Sequence, residues 1–190
     1  RVTGKTDGKT WIFEEIKPNM FYFIGVDTAT NSGKDYSTIQ VFEYDTMNQV
    51  LESKIKCEPK IFAEYVKVIS DMFANNLIIV ERTGGFGITV LNELMFDEDK
   101  TYNLYNEVKK SDIKYNEMGK ENDIVYGINT DKMTRPLIIE SMYNFVINQT
   151  ECIKSERLAL ELLALSYKGP NHKIQADTGF NDDLVMSLAI

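Results

Sequence analysis

Four carboxylates in this chain stand at the ends of apolar segments: Asp27, Glu81, Asp182 and Asp183. Asp27 directly follows the apolar segment Phe21–Val26, and Glu81 directly follows Leu77–Val80. Apolar segments of this length are typical of buried strands, so each strand is expected to present an acid at its carboxyl end. The two neighbouring aspartates instead open the apolar segment Leu184–Ile190. A helix there that packs across the sheet would bring an aspartate to the same edge.

Carboxylates gathered in one place repel one another unless a cation lies between them, and their hard oxygen atoms suit Mg²⁺ or Mn²⁺. Two such ions about 4 Å apart clamp a phosphodiester, one activating water and the other stabilising the leaving oxygen. Asp27, which ends a central strand of the predicted sheet, is expected to bridge the two ions. The pattern therefore predicts a two-metal site that handles phosphates.

Each acid also has a simpler interpretation. Asp27 is a good turn residue, and an aspartate before a helix is a favoured N-cap. Glu81 has a neighbouring partner for an ion pair in Arg82. Capping explains one of two adjacent aspartates better than both, and the order of the acids along the chain favours the metal site.

The elements that must position these acids follow from the periodicity of the sequence. Three β-prone segments joined by short turns predict an antiparallel meander: Phe21–Val26, Thr38–Tyr44 and Val50–Cys57. Helical patterns over 61–73, 90–94, 130–147 and 158–165 then alternate with short strand-like segments at 77–80, 101–105 and 173–176. This order predicts an α/β fold with a mixed sheet, in which sites lie at the carboxyl ends of strands.

Composition sets outer limits on function. A chain of 190 residues with 43% hydrophobic and 26% charged residues is ordinary for one globular domain. The formal net charge of -8 argues against a protein that coats nucleic acid by bulk charge. Cys57 and Cys152 have no metal-ligand spacing and are interpreted as reduced, buried thiols.

The ends of the chain suggest a fragment. Residues 1–19 are polar and are interpreted as a linker or leader that adds an edge strand at Thr10–Phe13, with the domain proper spanning 20–190. There is no secretory signal at the start, and no apolar segment reaches the roughly 20 residues that cross a bilayer. The missing first methionine and the end within an apolar helical segment predict a domain cut from a longer protein.

Several motifs, taken in order, resemble the nuclease domain of tailed-bacteriophage large terminase subunits: Gly25–Asp27, Gly33–Ser37, Val80–Gly87, Tyr126–Ile128 and Asn181–Ala189. The resemblance runs from about Phe21 to Ile190. It implies a ribonuclease H-like mixed sheet of five or more strands flanked by helices. It also implies Mg²⁺- or Mn²⁺-dependent cutting of concatemeric double-stranded DNA during genome packaging.

By the same resemblance Asp27, Glu81 and Asp183 are metal ligands, and Asp182 lies beside them and contributes. Many relatives carry a histidine before the aspartate pair, whereas this chain has Asn181. An imidazole role is therefore not carried over to this position. The single histidine of the chain, His172, is interpreted as a solvated loop residue.

The resemblance also implies partners. The full protein of this family has an N-terminal ATPase motor, works with a portal and a small terminase subunit, and acts in the cytoplasm of the infected bacterial host. This chain has no Gly-x-x-x-x-Gly-Lys-[Ser/Thr] phosphate loop, and Gly84–Gly87 lacks its lysine and spacing. These glycines are expected to allow either a tight turn beside the metal site or the close approach of a DNA backbone. The fragment is expected to cut DNA without translocating it.

Seven basic residues are candidates for contacts with DNA phosphates: Lys34, Lys109, Lys110, Lys114, Lys120, Lys132 and Arg135. Four of the lysines lie in the polar segment 109–122, which is interpreted as a projecting loop or hairpin. Any one of these lysines is also compatible with a simple solvated surface.

Three other interpretations remain open from the residues alone. One is a Holliday-junction resolvase or another ribonuclease H-like nuclease, which would share the acid geometry. A second is an actin-like ATP-binding domain, which leaves the acid at position 81 without a role. A third is a scaffold module that has kept the fold without catalysis.

Overall fold

The computed structural model describes residues 5–6, 9–30, 33–109, 123–168, 173–176 and 181–190 of the chain. The strands in these ranges are β1 (Lys5–Thr6), β2 (Thr10–Ile12), β3 (Phe21–Asp27), β4 (Ser37–Glu43), β5 (Gln49–Ile55), β6 (Asn75–Val80), β7 (Asn106–Lys109), β8 (Asp123–Tyr126), β9 (Leu165–Lys168) and β10 (Lys173–Ala176). The helices are α1 (Pro59–Asp71), α2 (Phe86–Met95), α3 (Thr134–Asn148), α4 (Glu156–Leu163) and α5 (Asp183–Ala189), with a 3-10 turn at Thr150–Cys152. Within these ranges no helix has both the length and the apolar character needed to cross a membrane.

The main sheet has six strands in the order β1-β2-β5-β4-β3-β6. β3, β4 and β5 form the predicted antiparallel meander, and β6 joins β3 in parallel. The mixed sheet flanked by helices confirms the predicted α/β fold. The expected edge strand forms as β2 beside β5, and β1 lies outside it, so the polar start of the chain contributes two strands.

The two faces of the sheet pack against different helices. Tyr22, Ile24 and Val26 alternate along β3 and join one core with buried residues of α1 and α2. The intervening residues of β3 point to the opposite face, where buried residues of α3, α4 and α5 form a second core. Because side chains alternate, Asp27 faces α5 and not α1.

Some predicted boundaries are wrong, for local reasons. The predicted strand 101–105 is reduced to a bridge from Leu104 to Ile78. The chain leaves the sheet at the next step to form the hairpin of β7 and β8. The predicted helix 130–147 begins four residues late, because the Asp131 carboxylate accepts hydrogen bonds from the backbone of Met133 and Thr134 and fixes a turn. The predicted helix 158–165 ends at Leu163, since β9 begins two residues later.

Other predictions on loops and cysteines have mixed outcomes. The predicted strand 173–176 forms as β10 and pairs with β9. Lys109 ends β7, whereas residues 110–122 of the predicted projecting segment lie outside the described residues, as does His172. Both cysteines are free thiols; Cys152 is buried, but Cys57 is only partly buried, which corrects the prediction for that residue.

Close packing of α5 on β3 depends on Gly25. A Cβ atom at this position would lie 2.1 Å from the backbone carbonyl oxygen of Ser187 in α5. Such a distance is impossible for a side chain, so any other residue at this position would push the helix away from the sheet. Glycine therefore lets the helix backbone rest directly on the strand.

Gly25→Ala is expected to lower the free energy of unfolding by about 1–3 kcal/mol, because it overpacks a rigid backbone contact. Urea unfolding followed by circular dichroism measures this change. Gly33→Ala is the matched control, because a Cβ there makes ordinary van der Waals contacts, 3.4 Å from the Thr30 hydroxyl and 3.8 Å from the Asp35 amide nitrogen. Equal stability of the Gly25→Ala and Gly33→Ala variants would show that α5 does not rest on β3.

Candidate metal centre

Asp27 and Glu81 lie side by side at the carboxyl edge of the sheet. Asp27 is the last residue of β3, and Glu81 directly follows β6. The parallel register pairs Val26 with Val80, and the Glu81 amide donates to the Val26 carbonyl at 2.9 Å. The two acids therefore stand at equivalent positions on the face of the sheet that carries α5, as the sequence predicted.

Helix α5 brings Asp183 to the same edge. The Thr38 hydroxyl donates to the Asp183 carbonyl at 2.8 Å, and Thr38 is the register partner of Asp27 on β4. The buried Asp183 carboxylate accepts from the Tyr36 amide and from the Asn181 side chain, each at 3.0 Å. Asn181 thus fixes the acid at the position where the resemblance led us to look for a histidine.

Asp182 is held differently from its neighbour. It occupies the N-cap position of α5, but its side chain makes no capping hydrogen bond. Its Oδ2 instead accepts from a terminal guanidinium nitrogen of Arg135 at 2.7 Å. The capping interpretation of Asp182 is therefore wrong, because its carboxylate binds Arg135, which is one of the candidate phosphate contacts.

Glu81 is buried and does not pair with Arg82. Arg82 instead lies 3.5 Å from a carboxylate oxygen of Glu107, whereas Glu81 accepts a hydrogen bond from the Thr130 hydroxyl. The expected tight turn after Glu81 is present, since Gly84 and Gly85 have φ angles of 81° and 90°, a region that favours glycine.

Electrostatic coupling links the acids. Burial raises the pKa of Asp27 well above its usual range, and the charges of Glu81, Asp183 and Asp182 raise it further, opposed by Arg135. Burial also raises the pKa of Asp183, opposed first by the hydrogen bond from Tyr36. Glu81, Asp182 and Asp183 therefore all lie close enough to Asp27 to disfavour its ionisation.

The donor chemistry of this edge fits a hard divalent cation, because every coordinating atom on offer is a carboxylate oxygen. Within the described part of the chain, however, no three acidic, histidine or cysteine side chains converge closely enough to hold an ion as they stand. Thr130, Asn181 and Arg135 each hold one of the carboxylates. Three of the four acids, Glu81, Asp182 and Asp183, are thus already bound by protein donors.

The predicted DNA-binding residues are placed unevenly. Lys34 is exposed, and its carbonyl accepts from Asn181 at 3.3 Å, which places its backbone next to the acids. Lys132 is exposed in the turn before α3. Lys109 closes β7, and its side chain is not among those described. The other three lysines lie outside the described residues: Lys110, Lys114 and Lys120.

A second layer supports α5 and was not predicted from the sequence. The buried Glu161 of α4 accepts from the Leu184 amide at 2.8 Å and binds the Lys54 ammonium. Lys54 also lies 4.7 Å from the centre of the Tyr36 ring. Glu161 therefore caps the helix that carries Asp183 and connects it to the strand β5. A glutamate among the leucines of a short helix gives no sequence signal for this role.

Glu161→Ala is expected to destabilise the domain by about 2 kcal/mol, because it leaves the buried Leu184 amide without a partner. Glu161→Gln is expected to cost less, since the amide oxygen still accepts that hydrogen bond. Urea unfolding of both variants tests this order. Glu156→Ala, an exposed change in the first turn of the same helix, is the control, and an equal cost for Glu156→Ala and Glu161→Ala would contradict the capping role.

Asp27→Asn is expected to change the pH dependence of stability in the absence of metal. Ionised Asp27 destabilises the fold, and protonation relieves this cost as the pH falls through its raised pKa toward about 3.9, the value in an unfolded chain. The wild type should therefore gain stability on acidification in that window. The variant should be at least as stable at pH 8 and depend less on pH.

Urea unfolding in EDTA from pH 8 to pH 5 measures this difference. Asp183 and Glu161, whose pKa values burial also raises, retain part of the dependence in both proteins. Asp45→Asn, at an exposed turn between β4 and β5, is the control. A clear loss of stability in Asp27→Asn at pH 8 would identify Asp27 as a structural turn residue.

Comparison with known proteins gives matches in structure alone. No protein-family model and no curated protein sequence matches the chain. The large terminase nuclease from thermophilic phage G20c aligns with a TM-score of 0.70 and 15% identity, over 98% of this chain and 88% of that chain. Its magnesium-bound structure aligns with a TM-score of 0.70 and 15% identity, over 98% and 87% of the two chains.

The large terminase nuclease domain of Thermus phage P74-26 aligns with a TM-score of 0.68 and 16% identity, over 98% of this chain and 85% of that chain. At 15–16% sequence identity, the similarity shows the fold alone. The chain therefore has the ribonuclease H-like fold seen in phage large terminase nucleases, as its motifs led us to expect.

Proposed function

We propose that this domain is a divalent-metal-dependent endonuclease that hydrolyses phosphodiester bonds in double-stranded DNA, as the nuclease part of a phage large terminase subunit. The observation that carries the proposal is the meeting of Asp27, Glu81 and Asp183 at one edge of the sheet from three distant parts of the sequence. The shared fold, and the magnesium and cobalt bound by the G20c nuclease, support it.

In this proposal Asp27, Glu81 and Asp183, with Asp182 beside them, would hold two Mg²⁺ or Mn²⁺ ions, and Asp27 would contribute to the binding of both. Bound ions at such a site activate water and stabilise the leaving oxygen. The protein's own contribution is to fix the ligands: Tyr36 and Asn181 orient the Asp183 carboxylate. Burial of Glu81 and Asp183 keeps bulk water from screening their charges.

Assembly of like charges also prepares the site for a cation. Each carboxylate raises the free energy of its ionised neighbours, so a divalent cation that enters the cluster relieves repulsion as well as gaining direct attraction. The same repulsion acts on the phosphate backbone of DNA, which must approach this edge. Basic residues near the edge are therefore required to position the substrate.

The DNA contacts in this proposal come from Lys34 and Lys132 near the acids and from the lysines of the segment 109–122. No recognition helix with clustered Arg, Asn or Gln is evident in the sequence, so binding is proposed to be weak and without much sequence preference. An N-terminal ATPase domain would tether this domain near DNA and raise its effective concentration. In that setting the substrate is concatemeric phage DNA, the partners are the portal and the small terminase subunit, and the location is the cytoplasm of the infected host.

Nicking of supercoiled plasmid tests the proposed function. Activity is expected with Mn²⁺ or Mg²⁺, none in EDTA, and little with Ca²⁺, whose looser coordination holds the reacting oxygens poorly. Asp27→Asn, Glu81→Gln and Asp183→Asn should each lower the rate by several orders of magnitude. Asp45→Asn, at the opposite end of β4, should nick at the wild-type rate.

Cleavage that persists in EDTA, or that survives Asp27→Asn, would contradict the metal mechanism. A parallel assay with a four-way junction separates the proposal from a junction resolvase, which would cut the junction far faster than a plasmid. Absence of cleavage under all conditions, with an intact fold, would favour the scaffold interpretation.

A further inference from the structure

Arg135 is a cation built into the acid cluster. It is the second residue of α3 and binds Asp182 with a nitrogen-to-oxygen distance of 2.7 Å. Its charge also acts on Asp27, where it opposes the effect of the surrounding acids. A guanidinium stays protonated at any physiological pH, so this positive charge is permanent.

The Arg135 guanidinium contacts Asp182 through a single terminal nitrogen. Its Nε is buried and has no hydrogen-bond partner among the described residues. The two side chains are 27% and 30% exposed, so water competes for the pair. Pairs of this kind contribute little net stability, so breaking the ion pair between Arg135 and Asp182 costs little free energy.

A second donor from the same segment acts on another acid. Thr130, five residues before Arg135, donates its hydroxyl to Glu81. Thr130 in the connection between β8 and α3 thus holds Glu81, and Arg135 in the first turn of α3 holds Asp182, while Tyr36 and Asn181 hold Asp183 from other elements. This division explains why the acids share one edge and yet do not converge on a common point.

We propose that Arg135 is a positioning residue that competes with divalent metal for Asp182. The guanidinium binds one oxygen of the Asp182 carboxylate, and its positive charge disfavours coordination of an ion by the same carboxylate. The inference rests on the proposed function, because it takes these acids as the metal site. It differs from the expectation that Arg135 serves first as a phosphate contact.

Calorimetric titration of the domain with Mn²⁺, without DNA, tests the competition. Arg135→Gln frees Asp182 and is expected to tighten Mn²⁺ binding by roughly two- to fivefold, the range that corresponds to loss of a partly exposed ion pair. Arg135→Lys keeps the charge but loses the planar fork, so its affinity should lie between those of Arg135→Gln and the wild type. Thermal unfolding in EDTA checks that each variant is folded.

Lys132→Gln is the matched control, because Lys132 is exposed, lies three residues before Arg135 and carries the same positive charge. Lys132 forms no ion pair with any residue that the structure describes. A general effect of charge would tighten Mn²⁺ binding in Lys132→Gln as much as in Arg135→Gln, and would overturn the proposal. Weaker or unchanged binding in Arg135→Gln would also overturn it.

Asp182→Asn completes a double-mutant cycle. Once Asp182 is neutral there is no carboxylate to free, so adding Arg135→Gln should give no gain beyond that of Lys132→Gln in the same background. A full gain in that background would contradict competition at Asp182. In the same titration, Asp183→Asn tests the proposed metal site independently of the role of Arg135.

If the wild type binds Mn²⁺ and Asp183→Asn abolishes binding, the metal site stands and only the role of Arg135 is in question. If none of the proteins binds Mn²⁺, the proposed metal site and the role of Arg135 fail together. If Arg135→Gln unfolds, the ranking of Arg135→Lys against the wild type decides: binding no tighter than that of the wild type would refute the competition.

Discussion

The direct contact of α5 with β3 is the constraint on which the candidate site depends. Gly25 allows the carbonyl of Ser187 to approach the strand, and Thr38 then binds both the Asp183 carbonyl and the Ser187 hydroxyl. These contacts fix the first turn of a helix of only seven residues, which would not be stable alone. The position of Asp183 beside Asp27 is therefore a consequence of backbone packing, and the carboxylates themselves oppose it.

That opposition is the main cost of the site. Burial and the charges of Glu81, Asp183 and Asp182 disfavour the charged form of Asp27, as its raised pKa indicates. The surrounding structure offsets this cost with hydrogen bonds from Tyr36, Asn181 and Thr130. Behind them Glu161 and Lys54 anchor α5 from the far side. Carboxylates that repel one another but are held by hydrogen bonds from the surrounding residues are typical of a functional site, where local stability is lower than it could be.

The four acids could be predicted from the sequence because their signal is local. An apolar strand that ends in a carboxylate is visible in a few consecutive residues, and the parallel register of β3 and β6 then makes the two strand ends meet. The mixed sheet and the meander were predictable for the same reason. The helix starts were less so, since Asp131 forms a turn where helical periodicity had predicted the first turn of α3.

The residues that hold the acids could not be predicted from the sequence. Thr130 and Glu161 act through side-chain hydrogen bonds to distant parts of the chain, and Tyr36 acts through its backbone amide. None of these contacts has a pattern in the sequence that distinguishes it. Arg82 illustrates a false local signal. Its position next to Glu81 in the sequence suggested an ion pair, but in the structure the Arg82 side chain lies near Glu107. Contacts set by tertiary packing are visible only once the sheet and helices are assembled.

The placement of Arg135 connects the acidic charge of the domain to its proposed substrate. A domain with a net charge of -8 repels DNA, and the acids at the sheet edge add to this where the substrate must bind. While Arg135 is paired with Asp182, its charge is directed to the carboxylate and away from phosphate. A divalent ion that displaced it would offset part of the negative charge of the acids and would release a guanidinium suited to bidentate contact with phosphate. Occupation of the site by metal would then make the local charge less negative, so that metal binding and DNA binding would favour each other.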